Sequence, residues 1–360
     1  MRIPAHFTII SPTPNTSLSA QLDETERLLA AWLADNGLRG NQLIQARFYL
    51  TDAANSLSLL ETHSLYNATC AHCARSWIEQ PLLDGTKVAV QVWALETEGL
   101  TRWRQGAYSL GIEVAGERLL FESFRFGEDD VRGLDADAQT RLAFRRHVRT
   151  LAEYELTLKD HCLRTWFFVR DIDHHYGGVV SGRNAIFAHE GLTADDHFIA
   201  STGIGGYTDN TQTIVAADFL SADTGANDAN IRYLKALDYL NPTAEYGVAF
   251  ERGTAITLWG TRYRFISGTA SIDCHGRCVH RGNVVKQADR LFTNISKLLE
   301  DDGATLADMA YYIVYLRDVA DAATISRYMA ERYPHTPYLI TEARVCRPEW
   351  LIEVEGIATD

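Results

Sequence analysis

Tyr312-Ile313-Val314-Tyr315-Leu316-Arg317-Asp318 is a short apolar run closed by an arginine and an aspartate, and it reads as a strand with a defined end. The ending occurs three times, as Tyr49-Leu50-Thr51-Asp52, Phe168-Val169-Arg170-Asp171 and Tyr315-Leu316-Arg317-Asp318. Asp171 follows Asp52 by 119 residues and Asp318 follows Asp171 by 147. A unit that returns about every 120 residues in a 360-residue chain predicts three copies of one α+β layer, each packing helices on one sheet face. If each sheet curls against its neighbours, a single chain makes what a smaller protein makes as a trimer, so a monomer acting as a pseudo-trimer is expected.

Working outward, residues 1–100 form the first and most worn unit. It has a helix from Gln21 to Asn36 stopped by Gly37, a strand from Gln45 to Asp52, an amphipathic stretch from Leu57 to Tyr66 and a strand from Lys87 to Leu95. Residues 101–222 form the second. A hairpin pairs Tyr108–Val114 with Arg118–Phe124 around Gly116, and a helix carries Leu142, Phe144, Val148 and Leu151. The strand Arg164–Asp171, a helix near Val180–His189, a glycine-rich loop Ser201–Gly206 and a strand Thr211–Leu220 complete it. Residues 223–360 form the third unit, preceded by an insertion at about 222–243 that accounts for the longer interval. Its hairpin is expected at Ala255–Ser267 with Ser271–His280, and its helix from Val284 stops at Gly303. The strand Tyr312–Asp318, a helix Ala322–Tyr333 and a terminal strand Trp350–Ala358 follow.

The terminal strand alternates, with Ile352, Val354 and Ile357 set against Glu353 and Glu355. A solvated sheet face would carry such carboxylates freely. Here Cys346, Arg347 and Trp350 crowd a thiol, a guanidinium and an indole beside the same carboxylates, a mixture that suits a pocket.

Composition excludes several function classes. Lys plus Arg number 34 against 47 Asp plus Glu, and the net charge of -13 opposes a nucleic-acid partner. The arginine-dense segment Arg141–Arg149 lies on a helix pattern and reads as a solvated face. No apolar run reaches the roughly 18–20 residues of a membrane span. Six cysteines without framework spacing, behind an N-terminus Met1-Arg2-Ile3-Pro4 that lacks a long apolar run, point to a reduced cytoplasmic protein. Cys70-Ala71-His72-Cys73, Cys274 to Cys278 with His280, and His174-His175 offer metal-ligand types, yet no second pair completes a zinc pattern. Neither metal nor cofactor is expected.

Ile266 to Asp273, Gln287, Asn294, Val314 to Asp318 and Glu353 to Ala358 resemble the Rid, or YjgF, family of reactive-intermediate deaminases. That family is trimeric, with ligand sites between subunits. Ala74-Arg75-Ser76 matches the place where it keeps a carboxylate-binding arginine; in the last unit that position falls at Tyr338 or Leu339. The whole chain resembles a narrower group, the chorismatases, through Arg164–Asp173, Tyr176, Arg183-Asn184, Ala200–Gly206, Glu245–Val248, Phe250–Gly253 and Val345–Glu353. The resemblance implies three tandem Rid/YjgF-like (chorismate mutase-like) repeats forming an intrachain pseudo-trimer, and an enzyme that removes pyruvate from chorismate.

Chorismate is a dianion with a vinyl ether, and cleavage requires proton delivery to the enolpyruvyl methylene while positive charge develops on the ether carbon. A buried carboxylic acid does both, which makes Glu353 the candidate and Glu355 its rival on the same face. Two substrate carboxylates favour arginines, and Arg347, Arg183, Arg164 and Arg252 sit in the matching motifs. Gly205 in the glycine-rich stretch, with Ser267, Gly268 and Thr269, offers amides and hydroxyls; Tyr176 and Tyr246 offer phenols. Cys346 occupies a position that, by the resemblance, separates branches hydrolysing the ether to a dihydroxycyclohexadiene acid from branches that aromatise, and cysteine implies the aromatising product 3-hydroxybenzoate. Two other functions stay open: a Rid-like deaminase, supported by Arg75, and a small-metabolite binder without turnover.

Overall fold

The computed structural model describes residues 2–105, 109–225 and 230–360, apart from the side chains of Gln105 and Tyr246. The first unit comprises β1 (Ala5–Ile10), α1 (Leu18–Asp35), β2 (Leu43–Leu50), α2 (Ala53–Thr62), β3 (Ala74–Glu79) and β4 (Val88–Leu95). The second comprises β5 (Thr101–Gln105), β6 (Ser109–Val114), β7 (Glu117–Phe124), the short α3 (Glu128–Val131), α4 (Ala136–Glu153), the short α5 (Leu158–His161), β8 (Cys162–Val169), α6 (Ile172–His189), β9 (Ala200–Gly205) and β10 (Val215–Asp223). The third comprises β11 (Arg232–Tyr233), β12 (Gly253–Leu258), β13 (Thr261–Ala270), α7 (Val284–Glu300), β14 (Met309–Leu316), α8 (Ala322–Arg332), β15 (Tyr338–Glu342) and β16 (Ile352–Thr359).

Three sheets result, ordered β1-β4-β2-β3, β5-β6-β7-β10-β8-β9 and β11-β12-β13-β16-β14-β15. The last four strands of each follow one plan: three antiparallel strands and a parallel edge pair, β2 with β3, β8 with β9 and β14 with β15. The sheets share one central core containing Tyr49, Trp93, Phe121, Trp166, Phe168, Tyr263, Phe265 and Tyr315, while their opposite faces carry the helices. Strands buried on both faces need no alternation. Phe48 packs under its own helices and Tyr49 faces the common centre; Phe167 with Phe168 and Val314 with Tyr315 repeat the division. The edge strands β3, β9 and β15 close the ring through bridges Glu79 to Tyr207, Leu82 to Thr341 and Ile204 to Val345.

Several expected elements shift, each for a local reason. β1 pairs with β4 and completes the first sheet, although its short half-buried sequence carries little pattern. The stretch expected as a glycine-rich loop, Ser201–Gly206, is mostly the edge strand β9. Helix α6 starts at Ile172 rather than near Val180, because Gly178 and Gly182 serve helix packing: a Cβ at either would lie 2.8 Å from Ala136 Cβ or 2.7 Å from Asp137 O on α4. The last hairpin pairs β12 with β13 through Trp259-Gly260, both at positive φ, and not Ala255–Ser267 with Ser271–His280. A tryptophan in that turn disguises the signal.

Candidate functional site

Unit two meets unit three in a pocket that opens to solvent, with about 480 Å³ of unfilled space including its mouth. Strand β16 contributes Glu353, β13 contributes Gly268 and Ala270, and the loop before β16 contributes Cys346, Arg347 and Trp350. Across the junction α6 contributes Tyr176 and Arg183, and β9 contributes Ser201 and Gly203. Ile272 and the segment with Val248, Phe250 and Arg252 form the remaining wall.

Two glycines shape this space. Between Ile266 and Thr269 the register of β13 against β16 shifts, and Gly268 sits in the irregularity. A Cβ there would lie 2.1 Å from Glu353 Oε1, so glycine makes room for the carboxyl. A Cβ on Gly203 would lie 2.9 Å from the Tyr176 ring. Ser267 stitches the junction, accepting from the Ser201 amide at 3.0 Å and donating to Glu251 O at 2.7 Å.

Glu353 is 3% exposed. Burial first and the neighbouring Glu355 second push its carboxyl up to about 8, against the opposing fields of Arg164 and Arg252. It therefore holds a proton at neutral pH. Burial and Glu353 likewise push the Cys346 thiol up to about 12, so it remains a neutral thiol beside Tyr176 and Arg347. Tyr176 is also raised, chiefly by burial.

Around this neutral acid stand three guanidinium groups. Arg183 is 2% exposed, and its Nε and one Nη have no hydrogen-bond partner among the described residues. A buried cation with free donors is costly unless an anion joins it. Arg252 donates to Asn241 O at 3.2 Å and lies 5.2 Å from the Phe250 ring centroid. Arg347 lies 5.7 Å over the Tyr176 ring. Three cations beside a protonated acid suit a small dianion.

Glu353, Cys346, Arg347, Arg183, Arg252, Tyr176 and Gly268 thus converge. Arg164 does not reach the pocket: it is buried in an ion pair with Glu355 at 2.6 Å. Glu355, the rival acid, also accepts from Trp166 Nε1 at 3.0 Å, Tyr315 Oη at 2.9 Å and Thr202 Oγ1, which occupies its oxygens inside the protein. Gly205 does not line this pocket: it packs against Arg344, where its amide donates to the carbonyl at 2.8 Å, and borders a separate cavity. Ser267 and Thr269 are buried with their hydroxyls bound to backbone carbonyls. Tyr246 ends a 3₁₀ turn, and its side chain lies outside the described residues. Val248, Phe250, Ala270 and Ile272, like Ser201, were legible only as parts of their motifs and not as site residues, since apolar walls share their composition with any core.

Strand pairing relates the three units position by position. Tyr49 faces Ala89, Phe168 faces Ala216 and Tyr315 faces Glu353. Only the third unit carries an acid at that place. The same reasoning on the edge pairs aligns Arg75 with Ser201 and Tyr338. Arg75 lines a different cavity, between units one and two, where it donates to Tyr66 O at 2.6 Å and stacks on that ring. The arginine-dense face of α4 is engaged in ion pairs, Arg141 with Asp137 and Arg146 with Asp130. Among the described residues no helix is long and apolar enough to cross a membrane, and no three His, Cys, Asp or Glu side chains converge as metal ligands.

Residues 254–360 match the family model described as Endoribonuclease L-PSP. A RutC family protein of Pyrococcus abyssi is 29% identical over 119 residues, spanning 32% of this chain and 87% of that protein. A chorismatase of Streptomyces rapamycinicus is 28% identical over 172 residues, 44% of this chain and half of that protein. A chorismatase crystal structure superposes over 99% of this chain and 98% of its own, with a TM-score of 0.68 and 18% identity. The chain has the chorismatase fold, three Rid-like units in one polypeptide.

Proposed function

We propose that this chain, which has the chorismatase fold and a last unit matching the L-PSP family, cleaves chorismate to pyruvate and a hydroxybenzoate, with 3-hydroxybenzoate as the ring product. The observation that carries the reading is Glu353, a buried carboxylic acid kept protonated among Arg183, Arg252 and Arg347. Those guanidinium groups bind the two substrate carboxylates. Glu353 gives its proton to the enolpyruvyl methylene, the vinyl π electrons form the new C–H bond, and the ether carbon becomes an oxocarbenium centre beside the new carboxylate. Attack on that carbon by the adjacent ring hydroxyl, or by water, precedes loss of pyruvate. In the first case the attacking hydroxyl returns its proton to Glu353. The bonds from the ketal carbon to the ether oxygen and from the ring to the attacking oxygen then break, so that pyruvate leaves with the latter as its carbonyl. The ring carbon that keeps the ether oxygen passes its proton to that oxygen, and the ring aromatises. In the second, a non-aromatic diol remains. Cys346, a neutral thiol next to Glu353, lies where it can favour the ring hydroxyl over water.

The test is to mix protein with chorismate, without metal or cofactor, and follow pyruvate while resolving ring products by chromatography. Pyruvate with 3-hydroxybenzoate supports the reading whole, pyruvate with a diol removes the role given to Cys346, and no pyruvate overturns it in favour of a Rid-like activity centred on Arg75. In Cys346→Ala the diol fraction is expected to rise several-fold; an unchanged product ratio opposes the role. The protonated acid also sets a pH dependence. Activity requires the proton, so kcat/KM is expected to be flat below about pH 8 and to fall as pH rises through it.

A further inference from the structure

We infer that Glu355 is a positioning residue for Glu353: a carboxylate held across the unit junction that keeps the neighbouring acid in place as a proton donor. The inference rests on the catalytic role proposed for Glu353 and names what sustains it.

Glu355 lies two positions along β16 from Glu353, 3% exposed, with Arg164, Trp166, Tyr315 and Thr202 all directed at its oxygens. Three of these donors, Arg164, Trp166 and Thr202, come from unit two. Four donors, one of them cationic, fix the position of the Glu355 oxygens. A fixed anion on the same strand face then opposes ionisation of Glu353.

The link is mechanical as well. Thr202 Oγ1, while donating to Glu355, accepts from the Gly268 amide at 2.8 Å. Gly268 is the residue against which the Glu353 carboxyl rests. Thr202 therefore ties the buried anion to the floor under the acid.

A comparison inside the chain separates the two carboxylates. Arg47 faces Gln91, Trp166 faces Asp218 and Ile313 faces Glu355, so Asp218 and Glu355 occupy equivalent places in their sheets. Asp218 is likewise buried and held, by Arg47, Arg125 and Ser123. At the places equivalent to Glu353 the other units carry Ala89 and Ala216. A buried, paired anion thus stands at this place in the second and third units, where the first carries Gln91, and the third unit adds an acid beside it.

The groups that bear on Glu353 from each side are Glu355 on β16, Arg164 on β8, Arg252 before β12, Cys346 and Arg347 before β16, and Tyr176 and Arg183 on α6. Glu355 is the anion among them, and it raises the Glu353 carboxyl where Arg164 and Arg252 lower it.

The experiment titrates protein labelled with carbon-13 at the glutamate carboxyls, the Glu353 signal being identified by its loss in Glu353→Gln. In Glu355→Gln the Glu353 midpoint is expected to fall by about one unit or more, and in Glu355→Asp to stay near the wild-type value. With chorismate, the alkaline limb of kcat/KM moves by the same amount. Where Glu355→Gln fails to fold because Arg164 is left unpaired, the double variant Arg164→Gln with Glu355→Gln removes both charges, and its midpoint still falls. An unmoved or raised midpoint in the folded variant overturns the inference. The titration needs no turnover, so a protein that leaves chorismate intact yet shows the shift keeps this electrostatic role while losing the proposed reaction.

Discussion

Glu353→Gln is expected to lower kcat on chorismate by about 10³-fold, the loss that follows removal of a general acid, while affinity for an unreactive chorismate analogue stays within about threefold. The two halves come from one fact. Glu353 is buried and carries its proton at neutral pH, so the amide of glutamine reproduces its charge and shape in the resting site. What glutamine lacks is the ability to surrender that proton to carbon. Stopped turnover with retained binding, read by pyruvate release and calorimetric titration of the analogue, is the signature of an acid used in the transition state. A variant that binds nothing would mean that the carboxyl holds the pocket together, and a variant that still turns over would move the acid elsewhere.

Arg183→Met is expected to weaken chorismate binding by about 100-fold or more, since removing a charge-assisted hydrogen bond from a buried site costs about 3 kcal/mol. Methionine keeps an unbranched apolar stem in the space of the arginine. The same substitution is expected to raise the melting temperature by ~2 °C or more, because the free protein now buries a guanidinium with unmet donors. Opposite signs for binding and stability are hard to obtain from a residue that merely packs. Arg183→Lys should restore only part of the affinity, as an ammonium lacks the planar pair of donors that meets a carboxylate. Differential scanning calorimetry with and without an analogue checks both halves; a variant that loses stability would mark Arg183 as structural.

How much was legible in the chain varies with the range of the interaction involved. The threefold repeat shows in Tyr49 to Asp52, Phe168 to Asp171 and Tyr315 to Asp318, because a strand buried on both faces needs a compact apolar run wherever it recurs. Glu353, Cys346 and Arg347 stand out because carboxylate, thiol and guanidinium lie within a few residues of one another. Local errors have local causes: Gly178, which packs α6 on α4, lies ahead of the helix expected near Val180–His189, and a Trp259-Gly260 turn hides a hairpin.

The sequence by itself determined the repeat, the α+β class and the short list of ionisable groups able to do chemistry. Only the tertiary structure decided between the two glutamates of β16 and among the four arginines. Alternation places Glu353 and Glu355 on one face, and nothing local says which meets a cavity. The choice is made by residues 153 to 191 positions away, Arg164, Trp166 and Thr202, which pair with Glu355 and leave Glu353 to the pocket. Arg164 and Arg183 are alike as residues, but one finds a carboxylate inside the protein and the other leaves donors free. Pairing of buried charges is settled by which strands the fold brings together, a long-range property that no window of sequence contains.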